Sequence, residues 1–128
     1  MIFAMVFLTI IVALYTIIKK FIEEYFMETK ELKIDQINEN GTLTCKLTGW
    51  LDPNTSPKLV DSIDLNGIST LIFDMENVEY VFSAGLRAFL IFQKFIDLQN
   101  GTMRLINVSD DIRSIFECTG FESMLEAK

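Results

Sequence analysis

An uncharged apolar run opens the chain and constrains its fold more than any other feature. Residues 1–18 read MIFAMVFLTIIVALYTII, and the two cationic residues Lys19 and Lys20 follow them. In a helix, 18 residues rise roughly 27 Å, which is close to the thickness of a bilayer's hydrocarbon core. Positive charge after the run reverses the order found in a cleavable signal peptide and places the following residues in the cytoplasm. We therefore predict that residues 1–26 form an N-terminal membrane anchor helix, with residues 1–18 in the membrane and the rest at its inner face.

Two other interpretations of this segment stay open. Phe21, Ile22, Tyr25 and Phe26 continue an amphipathic helical pattern, so the whole segment could pack on a partner protein as one long helix. Alternatively, Met27 is the translational start, and the protein is then entirely cytoplasmic. In each case residues 27–128 form one folded domain.

Composition excludes several classes of site. The chain has no histidine, which excludes Ser-His-Asp catalysis and histidine-ligated zinc. No phosphate-binding loop or metal-ligand spacing occurs, so we predict a protein that is not an enzyme and has no cofactor or metal. A net charge of −7 argues against a nucleic-acid partner, because neutralising phosphates needs clustered lysine and arginine. Cys45 and Cys118 lie far apart, and both are expected to be buried thiols.

Periodicity in residues 27–128 predicts an α/β domain with a mixed sheet and packed helices on one or both faces. Asn40-Gly41 separates two alternating runs and indicates a hairpin. Ser56-Pro57 and Ser109 are typical of helix starts, and Asn100 and Gly120 of helix ends. The predicted strands are 32–37, 42–48, 70–75, 78–82 and 102–108, and the predicted helices are 57–63, 84–99 and 110–119.

Ser83 stands between a predicted strand and a predicted helix, and the small residues Ala84 and Gly85 follow it. Its hydroxyl could cap the helix, which by itself would explain a serine there. It could also be a phosphoacceptor, because a phosphate at a helix N-terminus interacts favourably with the helix dipole and adds about −1.5 to −2 charges. If a partner binds this site through apolar contacts, phosphorylation would break the complex, because the interface would have to bury and desolvate the phosphate.

Five segments resemble the STAS domain, the fold of bacterial anti-sigma factor antagonists. Residues 78–87, which read VEYVFSAGLR, are similar to its signature D-S-[SA]-G-L, with Phe82 standing where the signature has aspartate. Four other segments follow in the order of the family, and together the resemblance covers roughly residues 30–127. They are Gly49–Asp52, Ile72–Asp74, Gly101–Leu105 and Phe116–Phe121.

The resemblance implies a binding module whose partner is an anti-sigma factor that is also a serine kinase of the histidine-kinase-like ATPase class. In the family that kinase phosphorylates the signature serine and so breaks the complex, and a PP2C-type phosphatase restores it. By position in the motif, the phosphoacceptor here is Ser83. The implied partner-binding surface is Phe82, Ser83, Ala84, Gly85 and Arg87, with Asp52 and Asp74 in neighbouring strand-to-helix loops.

The resemblance also leaves a second function open. A STAS domain can serve as a constant structural subunit, for example one that docks a membrane transport ATPase. Ser83 would then be a helix cap and nothing more, and the apolar segment fits such a role.

Overall fold

The computed structural model describes residues 2–27 and 31–125, with side chains for all of these except residues 23–27. The chain divides into two units, Met1–Lys30 and Glu31–Lys128. The first contains one helix, α1 (Ile2–Met27). Its stretch Ile2–Ile22 has a mean hydropathy of 2.4 and none of it is buried, so by length and composition it could cross a membrane.

The two threonines of α1 do not interrupt its apolar surface. The hydroxyl of Thr9 donates to the carbonyl of Met5 at 2.8 Å, and that of Thr16 donates to the carbonyl of Val12 at 2.9 Å. Each hydroxyl is therefore satisfied inside the helix, which lowers the cost of placing it in an apolar environment.

The second unit begins with a hairpin. Strands β1 (Lys33–Glu39) and β2 (Thr42–Leu51) pair antiparallel. The turn between them is Asn40-Gly41, with φ values of 52° and 84°. Two successive positive φ values match the right-handed twist of the flanking strands, which is why Asn-Gly suits this turn. The predicted hairpin is confirmed, and β2 extends three residues past the predicted end.

Two further strands complete a mixed four-stranded sheet in the order β1-β2-β3-β4. Strands β3 (Thr70–Val81) and β4 (Thr102–Ile106) run parallel to β2. The predicted separate strands 70–75 and 78–82 are in fact one strand, so this prediction was wrong. The pairing of β2 with β3 shifts register at two places, and such bulges absorb extra residues without ending a strand.

All three helices of this unit contribute to one core on one face of the sheet. The helices are α2 (Thr55–Ser62), α3 (Ser83–Leu98) and α4 (Asp110–Thr119), and a short 3-10 turn follows at Glu122–Met124. The ring centroid of Phe73 on β3 lies 5.1 Å from that of Phe89 on α3, and Phe89 lies 6.2 Å from Phe116 on α4. The predicted α/β fold with a mixed sheet is confirmed, with the helices on a single face. On β2, core residues alternate with half-exposed residues of the opposite face.

The helix ends show which polar residues act as caps. Ser109 accepts a hydrogen bond from the N–H of Ile112, and Gly120 ends α4 with φ 82°, as predicted. Helix α2 begins earlier than predicted, at Thr55, and Ser56 is therefore not its cap. Pro57 occupies the third helical position, where a missing N–H costs no helical hydrogen bond.

The two cysteines lie in different environments. Cys45 is buried in the core, whereas Cys118 is exposed on α4. The expectation of a buried thiol is thus correct for Cys45 and wrong for Cys118. Burial raises the pKa of the Cys45 thiol to about 12, because desolvation disfavours the thiolate.

Candidate functional site

The junction between β3 and α3 is built from backbone hydrogen bonds. Phe82 has extended dihedrals (φ −85°, ψ 172°) and is the N-cap residue of α3. Its N–H donates to the carbonyl of Leu51 at 2.8 Å, which holds the junction against the end of β2. Its carbonyl accepts from the N–H groups of Gly85 at 2.9 Å and Leu86 at 3.1 Å, so the helix begins with Ser83 as its first residue.

Gly85 allows α3 to approach the sheet. A Cβ at this position would lie 2.7 Å from the Cβ of Leu51 and 2.9 Å from a methyl group of Val81. Neither neighbour can move far, since both are buried in the core. Gly85 therefore belongs to the packing that positions Ser83 and is not itself on the surface.

Ser83 is exposed, and its side chain does not cap α3. The interpretation of Ser83 as a helix cap is wrong, because the N-cap position belongs to Phe82, which has no side-chain acceptor. Within residues 31–125, no backbone carbonyl accepts a hydrogen bond from the N–H of Ser83 or Ala84. These are the unpaired donors that the first turn of any helix leaves free, and they point toward the position of an anion at the helix start.

Asp52 follows Leu51, whose carbonyl holds Phe82, and is buried, with only 4% of its surface exposed. Its carboxylate accepts hydrogen bonds from the N–H groups of Asn54 and Thr55, each at 2.8 Å. Its own N–H donates to the hydroxyl of Thr55 at 2.9 Å. Asp52 thus organises the first turn of α2, and this is why α2 begins before Ser56.

Asp74 lies at a distance from the junction. It is half-buried in the middle of β3, seven residues before Val81, or on the order of 20 Å along the strand. Its carboxylate accepts from the side-chain amide of Asn107 and from the N–H of Glu76, both at 3.1 Å. No strand-to-helix loop follows Asp74, contrary to prediction, because β3 continues to Val81.

Arg87 is exposed one turn after Ser83, at a groove between α2 and α3. The groove has a volume of about 450 Å³ and is largely apolar. Its lining includes Ala84, Arg87, Ala88 and Ile91 from α3 and Ser56, Pro57, Val60 and Asp61 from α2, with Pro53 at one end. The structure therefore brings Ser83, Ala84 and Arg87 together on an accessible surface.

Phe82, the residue before Ser83, belongs to a cluster of three aromatic side chains. Of these three, only Phe82 was predicted to be part of the site. The centroids of Tyr80 and Phe82 are 4.6 Å apart, and Trp50 lies 6.3 Å from Tyr80 and 6.0 Å from Phe82. The indole N–H of Trp50 donates to the carboxylate of Glu79 at 2.9 Å. We call Trp50, Tyr80 and Phe82 the aromatic patch. One feature of the sequence could have indicated this cluster. Successive residues of a strand point to opposite faces of the sheet, so Trp50 must lie on the face away from the core residue Leu51.

Among the described side chains, those of residues 2–22 and 31–125, no three Cys, Asp or Glu residues converge on one point. Ser83 and Arg87 are exposed in the first part of α3, and Tyr80 and Phe82 of the aromatic patch are exposed before it.

Comparison with known proteins matches these features to a family. Residues 6–128 match the STAS domain, so the similarity extends into the apolar segment that the short motifs left outside it. The anti-sigma-B factor antagonist of Staphylococcus aureus is 28% identical over 97 residues, covering 73% of this chain and 90% of its own length. The anti-sigma-B factor antagonist of Listeria monocytogenes is 27% identical over 105 residues, covering 80% of this chain and 87% of its own.

A solved structure has the same fold. The anti-sigma factor antagonist SpoIIAA in its unphosphorylated form superposes with a TM-score of 0.65 at 20% identity, covering 76% of this chain and 88% of its own. SpoIIAA from Bacillus in its phosphorylated form superposes with a TM-score of 0.59. The similarity to the antagonists is distant, but the domain match spans nearly the whole chain. This protein is therefore a member of the STAS domain family.

Proposed function

We propose that this protein is an anti-sigma factor antagonist-like regulator, and that phosphorylation of Ser83 switches its binding to an anti-sigma factor. The partner is an anti-sigma factor that is also a serine kinase of the histidine-kinase-like ATPase class, and a PP2C-type phosphatase reverses the modification. The protein acts by binding and is not an enzyme. The distant similarity to two anti-sigma-B factor antagonists supports this choice of partner.

One observation carries the proposal: Ser83 is exposed at the first position of α3 and its hydroxyl is not used as a cap. If the hydroxyl were a helix cap, phosphorylation would remove its hydrogen bond and destabilise the helix. The Ser83 hydroxyl is not a cap, so its phosphorylation removes no such bond. Phe82 holds the backbone of the junction through its bond to Leu51, so the fold does not depend on the serine side chain.

A phosphate on Ser83 would be tolerated by the domain and felt by the partner. The free N–H groups of Ser83 and Ala84 and the positive end of the helix dipole favour the added charge. The surface beside it is apolar, with Phe82 on one side and Ala84 at the groove on the other. A partner that buries these residues would have to desolvate a dianion, which weakens the complex without unfolding the protein.

Phe82 distinguishes this junction from the family signature. An aspartate there would place a carboxylate next to the hydroxyl, whereas Phe82 places a ring that packs against Tyr80 at 4.6 Å. We propose that the kinase recognises Ser83 through apolar contact at this position and through Arg87. Asp52, Gly85 and Asp74, which the resemblance also implied for the partner surface, act in our proposal by shaping the domain.

The test is the affinity of three versions of the full chain for the anti-sigma factor that co-purifies with it from native membranes. Ser83→Asp should weaken binding at least about tenfold, equivalent to ~1.4 kcal/mol. Ser83→Ala should bind like the unmodified protein and should not respond to the kinase. Ser114→Asp, which adds the same charge at an exposed serine of α4, is the matched control and should bind normally. Equal affinity of wild type, Ser83→Asp and enzymatically phosphorylated protein would disprove the switch.

Membrane attachment is the second part of the proposal. We propose that α1 tethers the domain to the inner face of the membrane through residues 1–18, since its apolar surface is exposed and Lys19 and Lys20 follow it. Alkaline extraction of the membrane fraction tests this proposal. A full chain that is released by alkali, or that is found only in the soluble fraction, would rule out the anchor.

The exposed apolar helix also supports a second candidate function. A STAS domain held permanently at a membrane could be a structural subunit that docks a transport ATPase, with Ser83 unmodified. Phosphorylation mapping separates the two candidates. Absence of phosphate on Ser83 under all growth conditions, together with co-purification of a transporter subunit, would favour the scaffold.

A further inference from the structure

Strand β1 is an open edge of the sheet. It stands at one end of the order β1-β2-β3-β4, and no strand within residues 31–125 pairs with its outer side. The opposite edge differs, because Leu125 forms a bridge to Leu105 of β4. All residues of β1, Lys33–Glu39, pair with β2 without a register shift, and none of them is a proline. The outer side of β1 is therefore a continuous row of backbone N–H and C=O groups that another strand can pair with.

The hairpin decides which residues of β1 present these groups outward. Its loop has two residues, Asn40-Gly41, and the residue before such a loop forms a hydrogen-bonded pair with the residue after it. Glu39 is therefore hydrogen-bonded to β2. Hydrogen-bonded and non-hydrogen-bonded pairs alternate along an antiparallel ladder, so every second residue before Glu39 points its N–H and C=O away from β2. The outward-pointing residues are Ile34, Gln36 and Asn38.

The side chains of β1 alternate between the two faces of the sheet. Those of Lys33, Asp35, Ile37 and Glu39 lie on the face without helices, because these residues pair with the half-exposed residues of β2. All four are exposed, and Ile37 is 60% exposed although it is apolar. The row thus begins with a cation, ends with an anion and has an uncovered apolar side chain between them.

The charges of this row select one way of pairing β1 with the same strand of a second copy. Identical edge strands related by a two-fold axis run antiparallel, and outward-pointing residues must meet outward-pointing residues. A pair centred on Asp35 would set two Asp35 carboxylates opposite each other, and one centred on Ile37 would set Asp35 opposite Glu39. A pair centred on Gln36 includes the whole strand and sets Lys33 of each copy opposite Glu39 of the other. Directly facing opposite charges stabilise a strand pair, whereas like charges destabilise it.

We propose that this protein forms a two-fold dimer in which the β1 strands of two copies pair antiparallel around Gln36, so that the two sheets become one. Gln36 pairs with Gln36 of the second copy, and Ile34 of each copy pairs with Asn38 of the other, each pair exchanging two N–H···O=C bonds. Lys33 and Glu39 form an ion pair at each end of the contact. The two Ile37 side chains are diagonal neighbours across the axis, close enough for long side chains to touch.

Asp35 does not oppose this register. The two Asp35 side chains are also diagonal neighbours, but each has the ammonium group of its own Lys33 at 3.9 Å and pairs with Lys46 of β2 on the same face. The Lys33–Asp35 ion pair is weak, because both side chains are exposed to water. An ammonium group has three N–H donors, so Lys33 can bind Asp35 and also Glu39 of the second copy.

The dimer uses a part of the domain that the proposed partner surface does not include. Strand β2 stands between β1 and β3, and β3 is the strand that leads into Ser83. A second copy on β1 therefore leaves Ser83 outside the contact. The inference does not depend on whether Ser83 is phosphorylated.

Charge reversal tests the pairing in the full chain, purified in mild detergent and studied by sedimentation equilibrium. The wild type should dimerise. Lys33→Glu and Glu39→Lys should each raise the dissociation constant of the dimer about tenfold, because a symmetric dimer contains every changed contact twice. The double variant Lys33→Glu/Glu39→Lys restores opposite charges at both ends and should recover most of the affinity. Lys94→Glu makes the same change of charge at an exposed site of α3, and as the matched control it should dimerise like the wild type.

Disulfide cross-linking tests the register in a Cys118→Ala background, which removes the exposed thiol. Gln36→Cys should link two copies on mild oxidation, because Cα atoms of a hydrogen-bonded pair lie about 5.5 Å apart, within the range of a disulfide. Asn38→Cys is the matched control on the same face of the strand. In this register its two copies are offset by four residues, or roughly 13 Å, so it should not cross-link. Both sites are exposed, so the fold should be retained, as circular dichroism would show.

Several results would overturn the proposal. A full chain that is still monomeric at about 1 mM would mean that β1 does not accept a second copy. A dimer that neither charge reversal weakens would be held by another surface, such as α1. Failure of the double variant to recover affinity, or cross-linking through position 38 in place of position 36, would contradict the pairing around Gln36.

Discussion

Ser83 and Ser109 both stand at the beginning of a helix, yet they do different things. Ser109 is an N-cap whose hydroxyl accepts from the N–H of Ile112 at 3.3 Å. Ser83 is one residue further along its helix, because Phe82 occupies the N-cap position with no side-chain acceptor. Helical position alone thus decides which of the two hydroxyls is structural and which is available for modification.

This difference predicts unequal effects of alanine on stability. Ser109→Ala should lower the free energy of unfolding by about 1 kcal/mol, the usual cost of a lost N-cap. Ser83→Ala should change it by less than ~0.5 kcal/mol, as expected for an exposed residue without a bond. Urea unfolding followed by circular dichroism measures both. A larger loss for Ser83→Ala than for Ser109→Ala would show that the hydroxyl of Ser83 is the true cap.

Cys45 makes the domain less stable as the pH becomes alkaline. Its pKa is raised from 9.0 to about 12 by burial. Between these values the unfolded chain loses the thiol proton and the folded chain keeps it, so the unfolded state is favoured as pH rises. The stabilising effect is complete below about pH 9 and is lost progressively above it.

We expect the free energy of unfolding to fall from about pH 8 to about pH 10 by more in the wild type than in Cys45→Ala. The difference is bounded by about 1.4 kcal/mol per pH unit above the ordinary thiol pKa. Urea titrations at the two pH values provide the comparison. Cys118→Ala retains Cys45 and should behave like the wild type, and an identical pH dependence in Cys45→Ala would contradict the argument.

At the scale of elements, α3 connects the candidate site to the core. Its first turn carries Ser83 and Ala84, while Phe89 and Phe92 pack against Phe73 of β3 at 5.1 and 5.2 Å. The position and orientation of the first turn are therefore set by aromatic packing further along the helix. They are also set at Gly85, where the helix approaches the sheet closely.

Two phenylalanines of α3 test how far this packing matters. Phe89 is fully buried, and Phe89→Ala should cost about 3–5 kcal/mol through lost burial and a cavity. Phe95 is 55% exposed, and Phe95→Ala should cost well under half as much. Chemical denaturation gives both values. Similar costs at the two positions would mean that α3 packs with a different face toward the sheet.

For the molecule as a whole, the chain consists of an apolar helix and an acidic α/β domain. The domain, residues 31–128, contains the sheet, the core cluster and every residue of the candidate site. The apolar helix, to which our proposal assigns membrane attachment, and the folded domain are thus separate parts of the polypeptide.

A chain beginning at Met27 should therefore fold and lose only its membrane association. Its cooperative urea transition should match that of the full chain in detergent within about 1 kcal/mol, because the described core residues all lie at or after Leu32. Alkaline extraction should leave the full chain in the membrane, whereas the shortened chain should be found in solution. An unfolded or aggregated shortened chain would show that α1 contributes to the core of the domain.

Much of the fold could be predicted because its signals are local. The Asn40-Gly41 turn, the Ser109 cap and the Gly120 stop each act within a few residues, and all three are confirmed. The apolar run of α1 needs only composition to be recognised. The family resemblance depended on short segments in a fixed order, and the match over residues 6–128 confirms it.

The features that could not be predicted depend on residues far apart in the chain. Whether β3 breaks at Glu76 is decided by its pairing with β2, where bulges carry the strand onward. The role of Ser83 is decided by Phe82, whose N–H is held by Leu51 from the end of β2. The aromatic patch likewise exists only because parallel pairing places Trp50 beside Tyr80.

The two kinds of feature differ in the range of the interactions behind them. Most of the helices and strands, the family resemblance and the choice of Ser83 as candidate depend on short segments of neighbouring residues. The amino-acid sequence was therefore enough to predict them. The surface around that serine follows from strand register, and register is set by burial of a core that the whole domain shares. That surface therefore became visible only once the strands and helices were seen packed together.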